Sequence, residues 1–149
     1  MPRKATLAII LLIAAIVIVV AEVLLLTRPQ GGTRITELIV DDINCKVENC
    51  TIESGASMVI SVGIQSPETI ENVEVHVWAI WSSRHNEYEI DESRIVRLEA
   101  GEHRMENFET TAYCSPCDGI NPGSYLMYSE ISINNKVLDD YEMTIYLIE

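Results

Sequence analysis

The chain has 149 residues, 48% of them hydrophobic and 22% charged, which is enough for one domain with one core but not for two. Its formal charge is -13 at pH 7. Of 10 basic and 23 acidic residues, the first 34 positions hold four basic residues and one glutamate, so positions 35–149 hold 6 and 22, a net charge of -16. Because so acidic a surface repels phosphate backbones, nucleic acid is excluded as a partner of that part of the chain.

An apolar segment stands near the N-terminus. Residues 5–27 are almost all Ala, Ile, Leu and Val, and Glu22 is the one charged residue among them. With a rise of about 1.5 Å per residue, a helix of this length crosses the hydrocarbon layer of about 30 Å. We therefore predict a cytoplasmic n-region at 1–4, a transmembrane helix at 5–27 and a short linker rich in helix-breaking residues at 28–34.

Processing of this segment would give the protein a different location. Val19 and Ala21 fit the small-residue rule for signal-peptide cleavage, although the apolar run exceeds the usual length of roughly 7–15 residues and continues past that site. The residues Arg3-Lys4-Ala5 are also similar to the processing site of archaeal type IV pilin precursors. That resemblance implies a secreted or pilus-like filament subunit as the alternative to a retained anchor.

Two features favour an exported domain. Four cysteines lie in two close pairs, Cys45 with Cys50 and Cys114 with Cys117, which suits an oxidising compartment. The tripeptide Asn49-Cys50-Thr51 is a glycosylation sequon with Asn49 as the acceptor. We expect a single-pass protein of the cell membrane with its N-terminus inside and residues 35–149 outside.

Beyond the linker the pattern is typical of strands. Short β-branched runs alternate with turn clusters, and no amphipathic pattern of 3.6 residues persists. Seven strands are predicted, at 35–43, 57–65, 70–82, 87–98, 103–112, 123–133 and 137–148. Seven strands in this length predict an all-β fold, a seven-stranded immunoglobulin-like β-sandwich preceded by the one transmembrane helix.

The third predicted strand has the clearest alternation. Val73, Val75, Val77, Ala79 and Trp81 share one face by the period of two, and Glu74, His76, Trp78 and Ile80 share the other. An exposed Trp-Ile pair rimmed by polar groups would mark a contact surface, so His76, Trp78 and Ile80 are interaction candidates. The alternative is that both tryptophans belong to the core.

The strand region resembles immunoglobulin-like modules, especially the CARDB-type domains of prokaryotic cell-surface proteins. The matching residues are Leu98–Glu102 before one strand, Pro122–Leu126 opening the next, and Ile131–Val137 before the closing strand. The resemblance implies a β-sandwich over 35–149 in a prokaryotic envelope protein, archaeal if the pilin-like N-terminus has the same origin. A membrane helix followed by such a sandwich is also similar to the archaellum stator subunits that contact the surface layer.

All four cysteines are expected at one end of the sandwich, because strand parity places the first and fifth connections together. Two disulfides are predicted, within each loop or across the loops. A four-thiolate zinc site is an alternative. The motif Cys114-Ser115-Pro116-Cys117 is similar to the CxPC active site of thioredoxin-like oxidoreductases, which implies a membrane-tethered thiol-disulfide oxidoreductase using Cys114 and Cys117. The segment Asp118–Gly123 predicts no helix after the motif, unlike that family.

No catalytic site, metal site or cofactor is predicted from the other residues. The histidines are dispersed, and the acidic pairs lack the spacing of a dedicated calcium loop; these residues are His76, His85, His103, Asp41-Asp42 and Asp139-Asp140. We expect a non-enzyme that acts by protein-protein contact in the envelope, as an accessory subunit of a membrane complex or an anchor to a surface assembly. The final segment, 141–148, is apolar on both faces and predicts either a central strand or self-association through an edge strand.

Overall fold

The structure, a computed structural model, describes residues 31–149. The predicted n-region, the transmembrane helix and residues 28–30 of the linker lie outside the described residues, and the first strand begins at the last linker residue, Arg34. Within 31–149 no helix has the length and apolar character to cross a membrane. Residues Gly32–Glu149 form one compact unit.

Nine strands and one short 3-10 helix, Pro116–Asp118, make up the domain. The strands are β1 Arg34–Val40, β2 Ile43–Asn44, β3 Cys50–Glu53, β4 Ser57–Gln65, β5 Ile70–Ser82, β6 Glu87–Leu98, β7 His103–Thr111, β8 Gly123–Ile133 and β9 Lys136–Ile148. They form a four-stranded sheet in the order β2-β1-β4-β7 and a five-stranded sheet in the order β3-β9-β8-β5-β6. Neighbouring strands are antiparallel except β3, which runs parallel to β9. The all-β sandwich is thereby confirmed.

The seven predicted strands correspond to the seven long strands of the structure. The first one ends at Val40 rather than at residue 43, because Asp41 and Asp42 both have positive φ angles, 47° and 67°, and turn the chain into β2. The two short strands β2 and β3 were not predicted. With two and four residues they are too short to show a periodicity of their own.

The core lies between the two sheets and is built from the alternating positions of the long strands. Val73, Val75, Val77 and Ala79 of β5 are fully buried, as their alternation predicts. They meet inward residues from the other sheet, among them Leu38, Ile60, Val62 and Phe108. Burial of this apolar area is the main favourable term in folding, at roughly 25 cal/mol per Å².

The alternation of β5 changes phase at Ile80. This residue has a φ of 61° and is fully buried, whereas the next residue, Trp81, is 44% exposed and Ser82 is buried. The predicted faces are therefore wrong for Ile80 and Trp81. A single left-handed residue rotates the chain enough to exchange the two sides, so Ile80 enters the core and Trp81 leaves it.

A tyrosine corner fixes the start of β8. The hydroxyl of Tyr125 donates to the carbonyl oxygen of Asn121 at 2.7 Å and accepts from the N–H of the same residue at 2.9 Å. A tyrosine that bonds back to the backbone a few residues upstream is a hallmark of immunoglobulin-type Greek-key sandwiches. The bonds hold the crossing loop against the strand that follows it.

The C-terminal strand β9 is an inner strand of the sheet, which decides between the two predictions for segment 141–148. Its hydrogen-bonding edges are occupied by β8 on one side and by β3 on the other. The long edge strands are β6 and β7. β3 pairs with β9 only from Ile145 to Ile148, so residues 136–144 also lack a strand on that side. Self-association through an edge strand stays a prediction.

A buried carboxylate links the edge strands β6 and β7 through ion pairs with arginines of both strands. Glu106 is 5% exposed, and its Oε1 accepts from Nε of Arg104 at 2.5 Å. Nη1 of Arg94 lies 3.5 Å from its other oxygen, and the Arg94 guanidinium covers the ring of Phe108 at 5.3 Å. Two half-exposed arginines thus compensate the buried charge of Glu106.

Candidate functional site

Five rings form one continuous cluster on the outer side of the five-stranded sheet, and we call it the aromatic face: His76, Trp78 and Trp81 of β5, Tyr88 of β6 and Tyr128 of β8. Trp78 stands directly opposite Tyr128 across the strands and stacks on it, with ring centroids 5.3 Å apart and planes at 13°. Trp81 stands opposite Tyr88 with its ring edge-on at 4.9 Å. Such cross-strand pairs each stabilise a sheet by roughly 0.2–1 kcal/mol.

The two pairs are joined into one surface by the phase change of β5. Since Ile80 points into the core, no β5 side chain separates Trp78 from Trp81 on the outer side, and the rings of Tyr88 and Tyr128 approach to 6.4 Å across this gap. His76 extends the cluster at the other end, 4.5 Å from Trp78. The strand register therefore places the rings, and Ile80 makes them contiguous.

Much of the aromatic face is open to solvent. Trp81 is 44% exposed, while Trp78, Tyr88 and Tyr128 are half-buried. Leu126 of β8 and Tyr146 of β9 continue the apolar surface on the same side and are 42% and 38% exposed. Exposed aromatic clusters of this kind are typical of contact surfaces.

Carboxylates surround the rings. Nε2 of His76 lies 2.6 Å from Asp91 of β6, which is opposite Trp78 in the register. Glu142 stands opposite Tyr128, and Glu130 is directly opposite Asp140 on the neighbouring strand β9. The aromatic face is thus both apolar and acidic.

The hydroxyl of Tyr128 is held in its neutral form. Desolvation raises the pKa of this phenol above its ordinary value of 10.0, and the charge of Glu142 on the neighbouring strand raises that pKa further. The hydroxyl consequently stays a hydrogen-bond donor over the whole physiological range. It gives the aromatic face a polar group among its rings.

The three predicted interaction candidates have different positions in the structure. His76 and Trp78 lie on the outer side, as their alternation predicts, and Trp78 does not belong to the core. Ile80 is fully buried, so its prediction as a surface residue is wrong for the reason given by its φ angle. Trp81, Tyr88 and Tyr128 were missed. The alternation of β8 puts Tyr128 outside, but its position next to Trp78 follows from the strand register, which a single sequence does not specify.

The turn between β3 and β4 meets the loop of Cys114 at one end of the sandwich, the end at which strand parity predicts this loop. The N–H of Gly55 donates to the Ala112 carbonyl and the N–H of Cys114 donates to Ser54 Oγ, both at 2.8 Å. Cys45 and Cys50 form a disulfide with their Cα atoms 5.4 Å apart, so the local pairing is the one realised.

The second predicted disulfide is absent from the structure. Cys114 and Cys117 are free: the thiol of Cys114 is directed at the carbonyl oxygen of Ile148, and Cys117 lies exposed within the 3-10 helix. Because the first disulfide uses two of the four sulfurs, a four-thiolate zinc site does not form in this state. The 3-10 helix itself was not predicted; it is a single turn, far shorter than the helix that follows the CxPC motif in thioredoxin-like proteins.

Asp118 organises the tip beside the free cysteines. Its carboxylate accepts hydrogen bonds from Nε2 of His85 at 2.8 Å and from the hydroxyl of Ser115. The bond from His85 holds the pKa of this carboxyl below its ordinary value of 3.8, and the bond from Ser115 lowers that pKa further. A nucleophilic triad requires the histidine between hydroxyl and carboxylate, whereas the carboxylate is in the middle here, so the arrangement does not activate Ser115.

The remaining predicted positions lie apart from both clusters. Asn49 is exposed in the loop between β2 and β3, and its glycosylation stays a prediction. Asp41 and Asp139 bind backbone N–H groups, those of Val59 and Ile35, at 2.8 and 2.7 Å. Within the described part of the chain no three His, Cys, Asp or Glu side chains are grouped so that they could hold a metal ion. A hollow of about 200 Å³ beside β3 is smaller than the 300–1,000 Å³ typical of ligand pockets.

Solved structures with the same architecture come from several classes of protein. The chain is similar to the CARDB domain of the PF1109 protein of Pyrococcus furiosus in complex with di-metal ions, with a TM-score of 0.51, 10% identity and coverage of 78% of this chain and 86% of that domain. It is also similar to a Niemann-Pick type C2 protein from Japanese carpenter ant, with a TM-score of 0.53, 8% identity and coverage of 79% and 94%. The C-terminal domain of wzt gives a TM-score of 0.57, 12% identity and coverage of 80% and 75%.

The chain has a CARDB-like β-sandwich fold. At identities of 8–12% these similarities establish the fold alone. No protein-family model matches the sequence, and no curated protein matches it. The function therefore has to be inferred from the residues of this chain.

Proposed function

We propose that the protein is a single-pass, membrane-anchored envelope protein whose acidic β-sandwich makes protein-protein contact through the aromatic face. The observation that carries the proposal is the row of five solvent-accessible rings, with Trp81 44% exposed at one end and His76 at the other. Aromatic residues are enriched at the buried centres of protein interfaces, and Trp and Tyr supply much of the binding free energy there.

The membrane anchor in this proposal is the apolar segment 5–27. Its 23 residues match the thickness of a bilayer, and the Cys45–Cys50 disulfide supports an oxidising location for residues 35–149. The prokaryotic, archaeal cell surface in this proposal rests on the resemblance of residues 35–149 to CARDB-type domains, such as that of the Pyrococcus furiosus protein. The domain then acts as an accessory subunit of a membrane complex or as an anchor to a surface assembly.

Contact at the aromatic face is tested by photo-crosslinking in native membranes. A benzoylphenylalanine replaces Trp81, and the control places it at Met105 on β7 of the other sheet, which is 37% exposed and thus similarly accessible. We expect a discrete crosslinked protein of one mass from position 81 and none from position 105. The same adducts from both positions, or none from either, would contradict a contact function of the aromatic face.

The anchor is tested separately by three measurements on native membranes: the intact mass of the protein, its extraction by carbonate and its digestion by external protease. Intact full-length protein should resist carbonate extraction, and external protease should digest residues 35–149 of right-side-out vesicles. A protein truncated near Ala5 or Ala21 would instead support the filament subunit or the secreted form. Protection of the sandwich from external protease would contradict the orientation.

A second candidate function rests on the free thiols of Cys114 and Cys117, which lie at the exposed tip. A membrane-tethered thiol-disulfide oxidoreductase would attack a substrate disulfide with one of these thiolates and release the product by forming the Cys114–Cys117 disulfide. Full-length protein should then reduce insulin in the presence of dithiothreitol, and Cys114→Ser should abolish that activity with the fold retained. Equal rates for the variant and the parent protein would contradict this function.

A further inference from the structure

We propose that the occupant of the aromatic face is a lysine- or arginine-bearing segment of the partner protein. This inference rests on the contact function proposed above and names the chemistry of the partner. It follows from the combination of exposed ring faces with carboxylates that form no ion pair with any basic residue of 31–149.

The acidic groups beside the rings are placed against each other. Glu130 of β8 stands directly opposite Asp140 of β9, and Glu142 follows two residues later on the same side. Like charges at directly opposed positions destabilise a sheet. An external cation that binds both carboxylates would remove this repulsion, and its binding is favoured for that reason.

The basic residues of 31–149 do not supply that cation. Within this range Arg94 and Arg104 bind Glu106, and Arg97 binds Glu71 and Glu99. Arg84 binds the carbonyl of Cys117 at the tip, and Lys46 lies over Tyr141. The two other basic residues of this range, Arg34 at the start of β1 and Lys136 at the start of β9, form no ion pair with a described carboxylate. None of the ion pairs among the described residues includes Glu130, Asp140 or Glu142.

The rings favour a side-chain cation over a bare ion. A guanidinium or ammonium group is attracted to the face of Trp or Tyr within about 6 Å of the ring centre, and its apolar stem packs on neighbouring rings. The domain already contains two cation–ring contacts: Nζ of Lys46 lies 4.1 Å from the centroid of Tyr141, and the Arg94 guanidinium lies 5.3 Å from that of Phe108. Arginine also stacks on aromatic planes and pairs with carboxylates through its fork of donors.

A basic segment fits the aromatic face better than a neutral glycan or a second copy of this chain does. A neutral glycan could stack on the rings but would not relieve the repulsion between Glu130 and Asp140. A second copy of this chain would bring a domain of charge -16 to an acidic surface. A basic segment satisfies the rings and the carboxylates together.

The test uses hexa-arginine as the probe and the full-length chain in phosphatidylcholine nanodiscs. Both tryptophans of the protein, Trp78 and Trp81, belong to the aromatic face, so intrinsic fluorescence reports on it directly. We expect a saturable fluorescence change at about 50 mM salt that is largely lost at about 500 mM, since surface charges are screened there. Hexa-glutamate should give no change.

Matched variants separate local from overall charge. Glu130→Gln with Asp140→Asn should weaken hexa-arginine binding about fivefold, as expected for two exposed charge pairs. The control, Glu102→Gln with Glu109→Gln, removes two exposed carboxylates at or near β7 and should leave the affinity unchanged. Equal losses in both pairs of substitutions would mean that the peptide senses only the net charge, and would overturn the proposal.

The other occupants give distinct outcomes. A fluorescence change with cellohexaose and none with hexa-arginine assigns the aromatic face to neutral glycans and overturns the proposal. A fluorescence change on concentrating the protein alone, without peptide binding, assigns it to a second copy. If position 81 crosslinks a partner in membranes while hexa-arginine fails to bind, the contact function stands and the cationic occupant is wrong.

Discussion

Ile80 has a backbone conformation that β-branched residues avoid. A left-handed φ of 61° costs roughly 1–2 kcal/mol for such a side chain, while full burial of an isoleucine stabilises the fold by roughly 1.5–3 kcal/mol. The two terms are of similar size, so the inward turn is favourable when the core has space for the side chain. The inward turn of Ile80 also relocates the next residue: it places Trp81 on the aromatic face instead of in the core.

Asp118 gives the tip a dependence on pH. Because the pKa of its carboxyl is lowered in the folded state, its contribution is fully present above the ordinary value of 3.8 and is lost as the pH falls through the lower folded value. We expect the Asp118 carboxyl carbon to titrate below 3.8 in an NMR experiment. His85→Ala should raise this pKa most and Ser115→Ala less, following the order of their contributions.

Arg84→Ala is the matched control for that titration. Arg84 acts on Asp118 through its charge alone, which is the smallest of the causes, so its removal should raise the pKa least. An unchanged Asp118 titration in His85→Ala would contradict the hydrogen bond between the two side chains. If the His85 contact is retained in Ser115→Ala, the NMR chemical shifts of the His85 ring should be unchanged.

At the scale of elements, the long strands follow from the sequence and the short ones do not. Runs such as Val73–Ala79 alternate over enough residues to specify both the strand and its inner face. The alternation rule assumes β conformation at every position, and it fails at Ile80 because nothing in the sequence marks this residue as left-handed. The pairing of Trp78 with Tyr128 could not be predicted, since register depends on partner strands that are 50 residues apart.

The hairpin between β8 and β9 depends on its two asparagines. Asn134 and Asn135 have φ angles of 50° and 62°, the combination required by a type I′ turn. Asn135→Val should lower the free energy of unfolding by about 1–2 kcal/mol, because a β-branched residue is strained at positive φ. Urea unfolding followed by circular dichroism measures the change. Asn135→Gly is the control and should leave stability equal or higher; a loss as large as that of valine would show that the asparagine side chain, not its φ, is needed.

At the scale of the molecule, the Cys45–Cys50 disulfide should be the covalent element on which stability depends. A closed loop of this length contributes about 2 kcal/mol by the chain-entropy estimate, and both sulfurs are buried. Cys45→Ser with Cys50→Ser should therefore lower the unfolding free energy of the full-length protein by about that amount or more.

The other cysteine pair is the control for this measurement. Cys114→Ser with Cys117→Ser removes two free thiols, one of them exposed, and should change stability little. A loss of about 2 kcal/mol in this variant as well would mean that the second pair is also bonded in the protein as isolated. Thiol titration of the unfolded chain, with two free groups expected, gives an independent count.

The disulfide also tethers the short strand that covers part of one sheet edge. The four residues of β3 begin at Cys50 and cover the outer hydrogen-bonding edge of β9 from Ile145 to Ile148. If reduction let β3 detach, it would uncover a flat, apolar strand end, the template on which β-proteins extend into fibrils. Protein produced in a reducing cytosol should therefore be lost to insoluble aggregates, and production in an oxidising compartment should keep it in solution.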